Sequence, residues 1–218
     1  MVREHPERFP WTELDLADPI GPFTGRKLAT LTGDARRCMT LLDQSGLAET
    51  AAPTLGSAEP NCRVEDGVSI VSESNRSIDY APAGLVTSCP VAAALALWER
   101  EVVQPAALRR FGSRVARLDH FGSFSCRRIY GRDSGAYSEH STADAIDVAG
   151  FRLADGMRIA VQEDWGGGGE KAVFLHEVRD GACDLFSTVL SPDYNAAHAD
   201  HLHLDQAARG AMGWRGCR

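Results

Sequence analysis

Seven histidines occur in this 218-residue chain, and three of them, His198, His201 and His203, fall in the short stretch "HADHLHLD" (198–205). A fourth, His140, lies in "YSEHSTADAIDVAG" (137–150), seven positions before Asp147. Imidazole nitrogen and carboxylate oxygen are the donors that hold zinc, and two histidines with one carboxylate leave a fourth position for water. In a strand, residues two apart point to one face, so His201 and His203 project together, about 6–7 Å apart. One can hold a metal while the other faces what the metal holds. The interval between His140 and Asp147 is odd, so a single regular strand would put them on opposite faces. They converge only if the chain turns between them, and "SEHSTADA" is rich in the Ser, Thr and Asp that favour turns. Asp147 then stands between Ile146 and Val148 at the start of an apolar strand, where a charge is costly unless paired or metal-bound. The competing reading of this set is a satisfied hydrogen-bond network.

The elements that must position these groups follow from pattern. "DARRCMTLLDQSG" (34–46) predicts a short helix with Asp34 as N-cap and Gly46 past its end. "CRVEDGVSIV" (62–71) alternates around a DG turn and predicts a hairpin. "SCPVAAALALWEREVVQPAALRRFG" (88–112) carries the longest helical signal, with Ser88 as N-cap, Pro90 in the first turn, Pro105 as a kink or break and Gly112 as the stop. Strands are predicted over 114–130, 145–153 and 158–165, a helix over 170–186, and a last strand over 201–205. Residues 1–33 predict an irregular N-terminal extension. The order implies one α+β domain over 34–218, with a small, mostly antiparallel sheet flanked by helices.

Bulk properties exclude several classes of function. The net charge is −7 and no long Lys/Arg run occurs, which argues against nucleic acid as a partner, because phosphate binding needs clustered positive charge. The longest apolar stretch, "PVAAALALW" (90–98), is far short of a membrane span, so no span is expected. The first 30 residues lack the apolar middle of a signal peptide. Either the chain is cytoplasmic or a targeting segment has been trimmed from it. The six cysteines, Cys38, Cys62, Cys89, Cys126, Cys183 and Cys217, favour the second option. They form no CxxC pair, and an even number at wide spacing suits three disulfides in an oxidising compartment. The alternative is buried free thiols. Neither the pairing nor the oligomeric state is legible.

"FSCRR", "SEHSTADAIDVAGF" and "SPDYNAAHADHLHLD", with "SCPVAAALALW" upstream and a closing "CR", resemble the bacterial extensin-like C-terminal family. More widely they resemble the LAS-type zinc peptidases, which include D-alanyl-D-alanine peptidases, lysostaphin-type endopeptidases and the hedgehog domain. The resemblance covers roughly residues 36–218 and implies a hedgehog/D-Ala-D-Ala peptidase type of fold. It implies His140, Asp147 and His203 as ligands of one zinc ion. It implies His201 as a general base or transition-state stabiliser, Asp200 as a base in the place of a glutamate, and Arg127 as the cation beside the developing oxyanion. The chain departs from both of the usual patterns by carrying Asp200 and His201 together, and Asp is one methylene shorter than Glu. The implied activity is zinc-dependent hydrolysis of peptide bonds in peptidoglycan stem peptides or crosslinks, by a D,D- or L,D-endopeptidase or carboxypeptidase, in the periplasm or cell wall. The alternative is a non-catalytic zinc-containing wall-binding or scaffold protein, as in hedgehog domains.

Other groups carry expectations as well. On a strand running through it, His198 would face away from the ligand, and with Asn195 it would cap a loop. Ser138 and Asp144 are candidates to fix the imidazoles, Ser138 equally to stabilise the turn. Arg128 would point away from Arg127 on a strand. Tyr137, Trp165 and Tyr194 could line a groove, although aromatics are more often core. "HEVRD" (176–180) fails the zincin pattern because position 180 is Asp, and "WGGGG" (165–169) is read as a linker rather than a lip beside the site.

Overall fold

The structure is a computed structural model describing residues 2, 4–45, 50–52, 54–56, 59–70, 77–209 and 215–218. The helices are α1 (Thr24–Ala29), α2 (Ala35–Gln44), α3 (Cys89–Trp98), α4 (Gln104–Phe111), α5 (Val161–Asp164) and α6 (Glu170–Ala182). The strands are β1 (Thr50–Ala51), β2 (Leu55–Gly56), β3 (Arg63–Val64), β4 (Gly67–Ile70), β5 (Asp79–Ala81), β6 (Leu85–Ser88), β7 (Val115–Gly122), β8 (Ala145–Leu153), β9 (Arg158–Ala160), β10 (Thr188–Leu190), β11 (Leu202–Asp205) and β12 (Gly216–Cys217). Among the described residues the main sheet runs β12-β10-β11-β8-β7-β5, with β9 paired to β8, and a smaller sheet runs β1-β4-β6. Only the β5–β7 and β10–β12 pairs are parallel among those described. The fold is α+β, as the pattern predicted.

The core explains why β8 is held so firmly. The α3 sequence is apolar all round, as a helix buried on every side must be, and Val91, Ala92, Ala93, Ala94, Leu95 and Trp98 are fully buried. Trp98 donates its Nε1 hydrogen to the Val178 carbonyl of α6 at 2.8 Å, so the indole is buried without an orphan donor. Its ring packs on Phe151 of β8 at 5.9 Å, and Phe151 meets Phe174 of α6 edge-on at 5.2 Å. Each such side chain contributes about 1.5–3 kcal/mol by leaving water. Helix, strand and helix are thereby locked into one unit, and β8 carries Asp147.

Local chemistry accounts for the helix ends. Asp34 caps α2, accepting from the Arg37 backbone N–H at 3.2 Å. Gly46 and Val71 lie outside the described residues. The long helix is divided just before Pro105, which falls in the first turn of α4. It passes through a π turn at Glu99–Val103, whose wider bonding tolerates a residue that lacks an N–H and crowds the preceding turn. Gly112 ends α4 in the left-handed conformation, with φ 65°.

Several expectations need correction. No hairpin joins β3 to β4, because β3 pairs with β2 while β4 lies between β1 and β6. The strand predicted over 158–165 ends at Ala160 and turns into α5, where Asp164 accepts from the Ala160 N–H at 2.9 Å. The strand predicted to 130 stops at Gly122, so Arg127 lies on an exposed loop. The first 33 residues contain α1 and send Leu14, Leu16, Leu28 and Leu31 into the common core.

Three disulfides form, Cys38–Cys89, Cys62–Cys126 and Cys183–Cys217. The first ties α2 to α3, the second ties the segment before β3 to the loop carrying Arg127, and the third ties the end of α6 to β12. Such a set persists in an oxidising compartment. No described helix is long and apolar enough to cross a membrane.

Candidate metal centre

β8 and β11 are antiparallel neighbours, and their register sets Asp147 directly opposite His203. Ile146, Val148, Leu202 and Leu204 are fully buried on the core face of the same strands. The two-residue alternation therefore forces Asp147, His203 and Asp205 onto the other face. A one-residue slip would drive these charges into the core, so burial on one face specifies the register.

His140 arrives from a 3-10 turn, Glu139–Thr142, where the Ser138 hydroxyl accepts from the His140 N–H at 3.4 Å. The chain then reverses through Ala143 at φ 57°. A left-handed alanine costs roughly 1–2 kcal/mol. Here its carbonyl accepts from Ser88 N at 2.9 Å, Thr87 Oγ1 at 3.0 Å and Ser123 Oγ at 3.1 Å, which holds the strained turn. This is the turn that the odd His140–Asp147 interval required.

The three side chains meet. His140 Nε2 lies 3.1 Å from Asp147 Oδ1 and 3.1 Å from His203 Nδ1, and His203 Nδ1 lies 2.9 Å from Asp147 Oδ1. The outer ring atoms fix the tautomers. His140 Nδ1 is 2.8 Å from the Ser123 carbonyl, which can only accept, so Nδ1 carries the hydrogen and Nε2 turns its lone pair inward. His203 Nε2 donates in the same way to Asp205 Oδ2 at 3.3 Å. Two nitrogen lone pairs and a carboxylate oxygen thus face one another across about 3 Å, an arrangement that needs positive charge between them. A divalent cation meets that need. In its absence a proton must. Burial pushes His203 down, but bonds to Asp147 and Asp205 outweigh it and raise it to about 9. Burial would raise Asp147, but His140 and His203 hold it well below the usual carboxylate range.

The triangle forms part of the wall of a cleft of about 830 Å³, which Arg127, Tyr130, Glu139, Tyr194, His198, His201 and Arg209 also line. His201 Nδ1 bonds Asp200 Oδ1 at 2.7 Å, and Nε2 turns toward the triangle, 3.4 Å from Asp147 Oδ1. Asp200 itself is 43% exposed and does not line the cleft, so it orients His201. Arg127 lines the cleft from its loop. Arg128 does not; it stacks on Tyr137 at 4.3 Å and donates to the Gly135 carbonyl.

His198 corrects a strand-based expectation. β11 begins only at Leu202, so His198 sits on a 3-10 turn and faces the cleft, its ring 5.2 Å from His201 and 5.9 Å from His203. Asn195 caps that turn as expected, accepting from Ala197 N at 2.9 Å while bonding His198 Nδ1 at 2.8 Å. Burial and the neighbouring histidines push His198 down to about 4. Of the three aromatics expected to line a groove, Tyr194 lines the cleft. Trp165 is buried against His176 instead, and Gly166–Gly169 does not reach the cleft. Asp144 does not touch the imidazoles; its carboxylate accepts from Thr142 Oγ1 at 3.3 Å. The groups that fix the imidazoles, Ser123 through its carbonyl and Asp205, went unnoticed in the sequence. For Asp205 a signal existed, because it is two residues after His203 on the same strand face.

The family model described as Extensin-like protein C-terminus matches residues 36–218. The chain belongs to this family. No curated protein and no solved structure matches it. As an extensin-like protein it places the three donors of the triangle, and all three disulfides, inside the matched region, while α1 and residues before it lie outside.

Proposed function

We propose that this extensin-like protein is a zinc metallopeptidase that hydrolyses peptide bonds in peptidoglycan stem peptides or crosslinks, in the periplasm or cell wall, with the hedgehog/D-Ala-D-Ala peptidase type of site. The observation that carries the reading is the convergence of three inward-facing lone pairs, from His140, Asp147 and His203, in the wall of an open cleft. Tetrahedral zinc with bonds near 2.0–2.1 Å sets its ligand atoms about 3.3 Å apart, close to the separations of 2.9–3.1 Å here. Among the described residues the donors within mutual reach are those three and do not include His201, which suits a catalytic site that keeps one position open.

Zinc held there would lower the pKa of a bound water to about 7 and polarise a carbonyl. The chain supplies the remainder. His201, held by Asp200, has its Nε2 at the cleft to take a proton from the attacking water and return it to the leaving amine. Arg127, on the cleft wall, supplies a cation for the negative charge that develops. Tyr130 and Asn195, joined at 3.2 Å, link the two loops at the cleft.

One observation bears on the rival, non-catalytic reading. His201 Nε2 is only 3.4 Å from Asp147 Oδ1, near enough to serve as a fourth protein ligand after a small shift. Purified peptidoglycan sacculi digested with zinc-loaded protein, beside His203→Ala and His201→Ala, separate the two readings by mass spectrometry and zinc content. New muropeptides from wild type alone, with His201→Ala inactive yet retaining zinc, support the peptidase. No new products, with zinc lost from His201→Ala, sink it in favour of a closed structural site.

A further inference from the structure

A second concavity, of about 270 Å³, lies on the N-terminal segment, lined by Pro10, Trp11, Phe23, Arg26, Lys27 and Arg37 among others. Trp11 is 72% exposed, a large apolar surface left in water. Its loop is nevertheless held. The indole leans on Phe9 at 5.2 Å, and Thr12 Oγ1, 2.9 Å from the Phe9 carbonyl, accepts from Lys27 Nζ at 2.9 Å. The segment beneath is anchored by Leu14, Leu16, Leu28 and Leu31 in the core, and by Arg100, which donates to the Leu16 and Asp18 carbonyls. The aromatic ring is thus presented by a supported backbone.

The charges that line it run against the chain's net −7, with Asp18 and Glu7 acting on Lys27 from beside it. Arg26, Lys27 and Arg37 line the concavity against the single carboxylate of Glu13. The Arg26 and Arg37 guanidinium groups, which share this lining, have no carboxylate partner among the described residues. An exposed indole face and two unpaired guanidinium forks favour a ligand with both a flat apolar face and planar anionic groups. The volume falls just below the roughly 300–1,000 Å³ of small-molecule sites. It takes a ring or two, and the lining offers no row of apolar anchors for an amphipathic helix.

We propose that this concavity is a binding site for a carboxylated polysaccharide, one sugar ring stacking on Trp11 while its neighbours' carboxylates pair with Arg26 and Arg37. The site is separate from the metal centre, uses residues 10–37, and does not depend on the peptidase reading. It makes the segment before the family's matched region, together with Arg37 just inside that region, a docking element.

The test is affinity electrophoresis of the full chain through gels containing alginate, with neutral dextran and poly-L-glutamate as comparison polymers. Alginate retards the wild type, dextran does not, and poly-L-glutamate retards it far less. Trp11→Ala and the Arg26→Ala/Arg37→Ala pair each weaken alginate retention at least about tenfold, while His203→Ala leaves it unchanged. Trp11 is exposed, so its replacement leaves the fold intact, and circular dichroism verifies this. Equal retention by poly-L-glutamate with no effect of Trp11→Ala would mean that an acidic chain meets a general basic surface, and would overturn the proposal. So would migration unaffected by alginate.

Discussion

His203 and Asp147 face each other across β11 and β8, with Nδ1 and Oδ1 2.9 Å apart. This register pair joins two parts of the chain that are 56 residues apart in sequence. The apolar residues on either side of it, Ile146, Val148, Leu202 and Leu204, fix which face the pair occupies. The core therefore builds the polar site: the same alternation that buries leucine and isoleucine delivers the carboxylate and imidazole to the cleft.

If that pair and His140 hold zinc, adding zinc must stabilise the fold, because the unfolded chain has no assembled site. At a free concentration a hundredfold above Kd the gain is about 2.7 kcal/mol, or roughly 5–10 °C in Tm for a chain of this size. Differential scanning calorimetry with zinc and then with a chelator reads it. Wild type is expected to shift, and His140→Ala and His203→Ala are expected not to. A wild-type melt indifferent to zinc would remove the metal centre.

Asp205 is 2% exposed, accepts from His203 Nε2 and the Ala207 N–H, and is ion-paired with Arg209 at 3.5 Å. Its acceptance fixes the His203 tautomer with Nδ1 free. Asp205→Asn can present an N–H to Nε2 instead and so undo that choice. Metal affinity is expected to fall about 10–100-fold, read by competition with a chromogenic chelator. Asp200→Asn, which alters only His201, is expected to leave affinity within about threefold.

Sequence pattern revealed the strands bearing Asp147 and His203 because alternation between apolar and polar residues is the mark of a half-buried strand. It misread places where a local preference yielded to tertiary structure. The DG pair at Asp66–Gly67 signals a hairpin turn, but β3 and β4 each take a different partner. Arg127 seemed strand-borne, but β7 ends at Gly122 and the disulfide to Cys62 holds the following loop away from the ladder. The carbonyl of Ser123, which orients His140, is a backbone group and leaves no mark in residue type. His198 could be placed only once β11 was known to start four residues later.

Asp144 introduces a pH dependence of stability. Burial pushes its carboxyl up to about 7, with Asp66 and Glu139 adding to the effect, against an ordinary value of 3.8. Its Oδ1 has no hydrogen-bond partner among the described residues. The folded state holds this proton after the unfolded state has released it, so the contribution is full below about pH 4 and is lost as pH rises toward 7. At most it amounts to a few kcal/mol, from about 1.4 kcal/mol per pH unit. Urea unfolding at pH 5 and pH 8 is expected to show the loss in wild type and a smaller one in Asp144→Asn. Equal losses in both would place the titration elsewhere.

The Cys62–Cys126 bridge spans 64 residues and ends beside Arg127. Replacing both cysteines with serine is expected to cost about 2–5 kcal/mol of stability, measured by denaturant unfolding. It also releases the loop between Ser123 and Arg128, so any hydrolysis of peptidoglycan should fall further than stability alone dictates. The corresponding change at Cys38 and Cys89, which ties two helices, is expected to lower stability without that extra loss.

Arg127 and Arg128 are adjacent and chemically identical, yet their surroundings assign them different work. Arg127 lines the cleft. Arg128 stacks on Tyr137 and donates to the Gly135 carbonyl, which closes the loop leading to His140. If Arg127 steadies developing negative charge, Arg127→Ala lowers kcat about 10²–10³-fold with Tm unchanged, the size seen when one oxyanion donor is removed. Arg128→Ala should instead lower Tm by a few degrees and reduce zinc retention, because the His140 turn loses its brace. Steady-state kinetics on a crosslinked muropeptide, paired with calorimetry on both variants, distinguishes them. If Arg128→Ala cost more in kcat than Arg127→Ala at equal zinc occupancy, the two assignments would have to be exchanged.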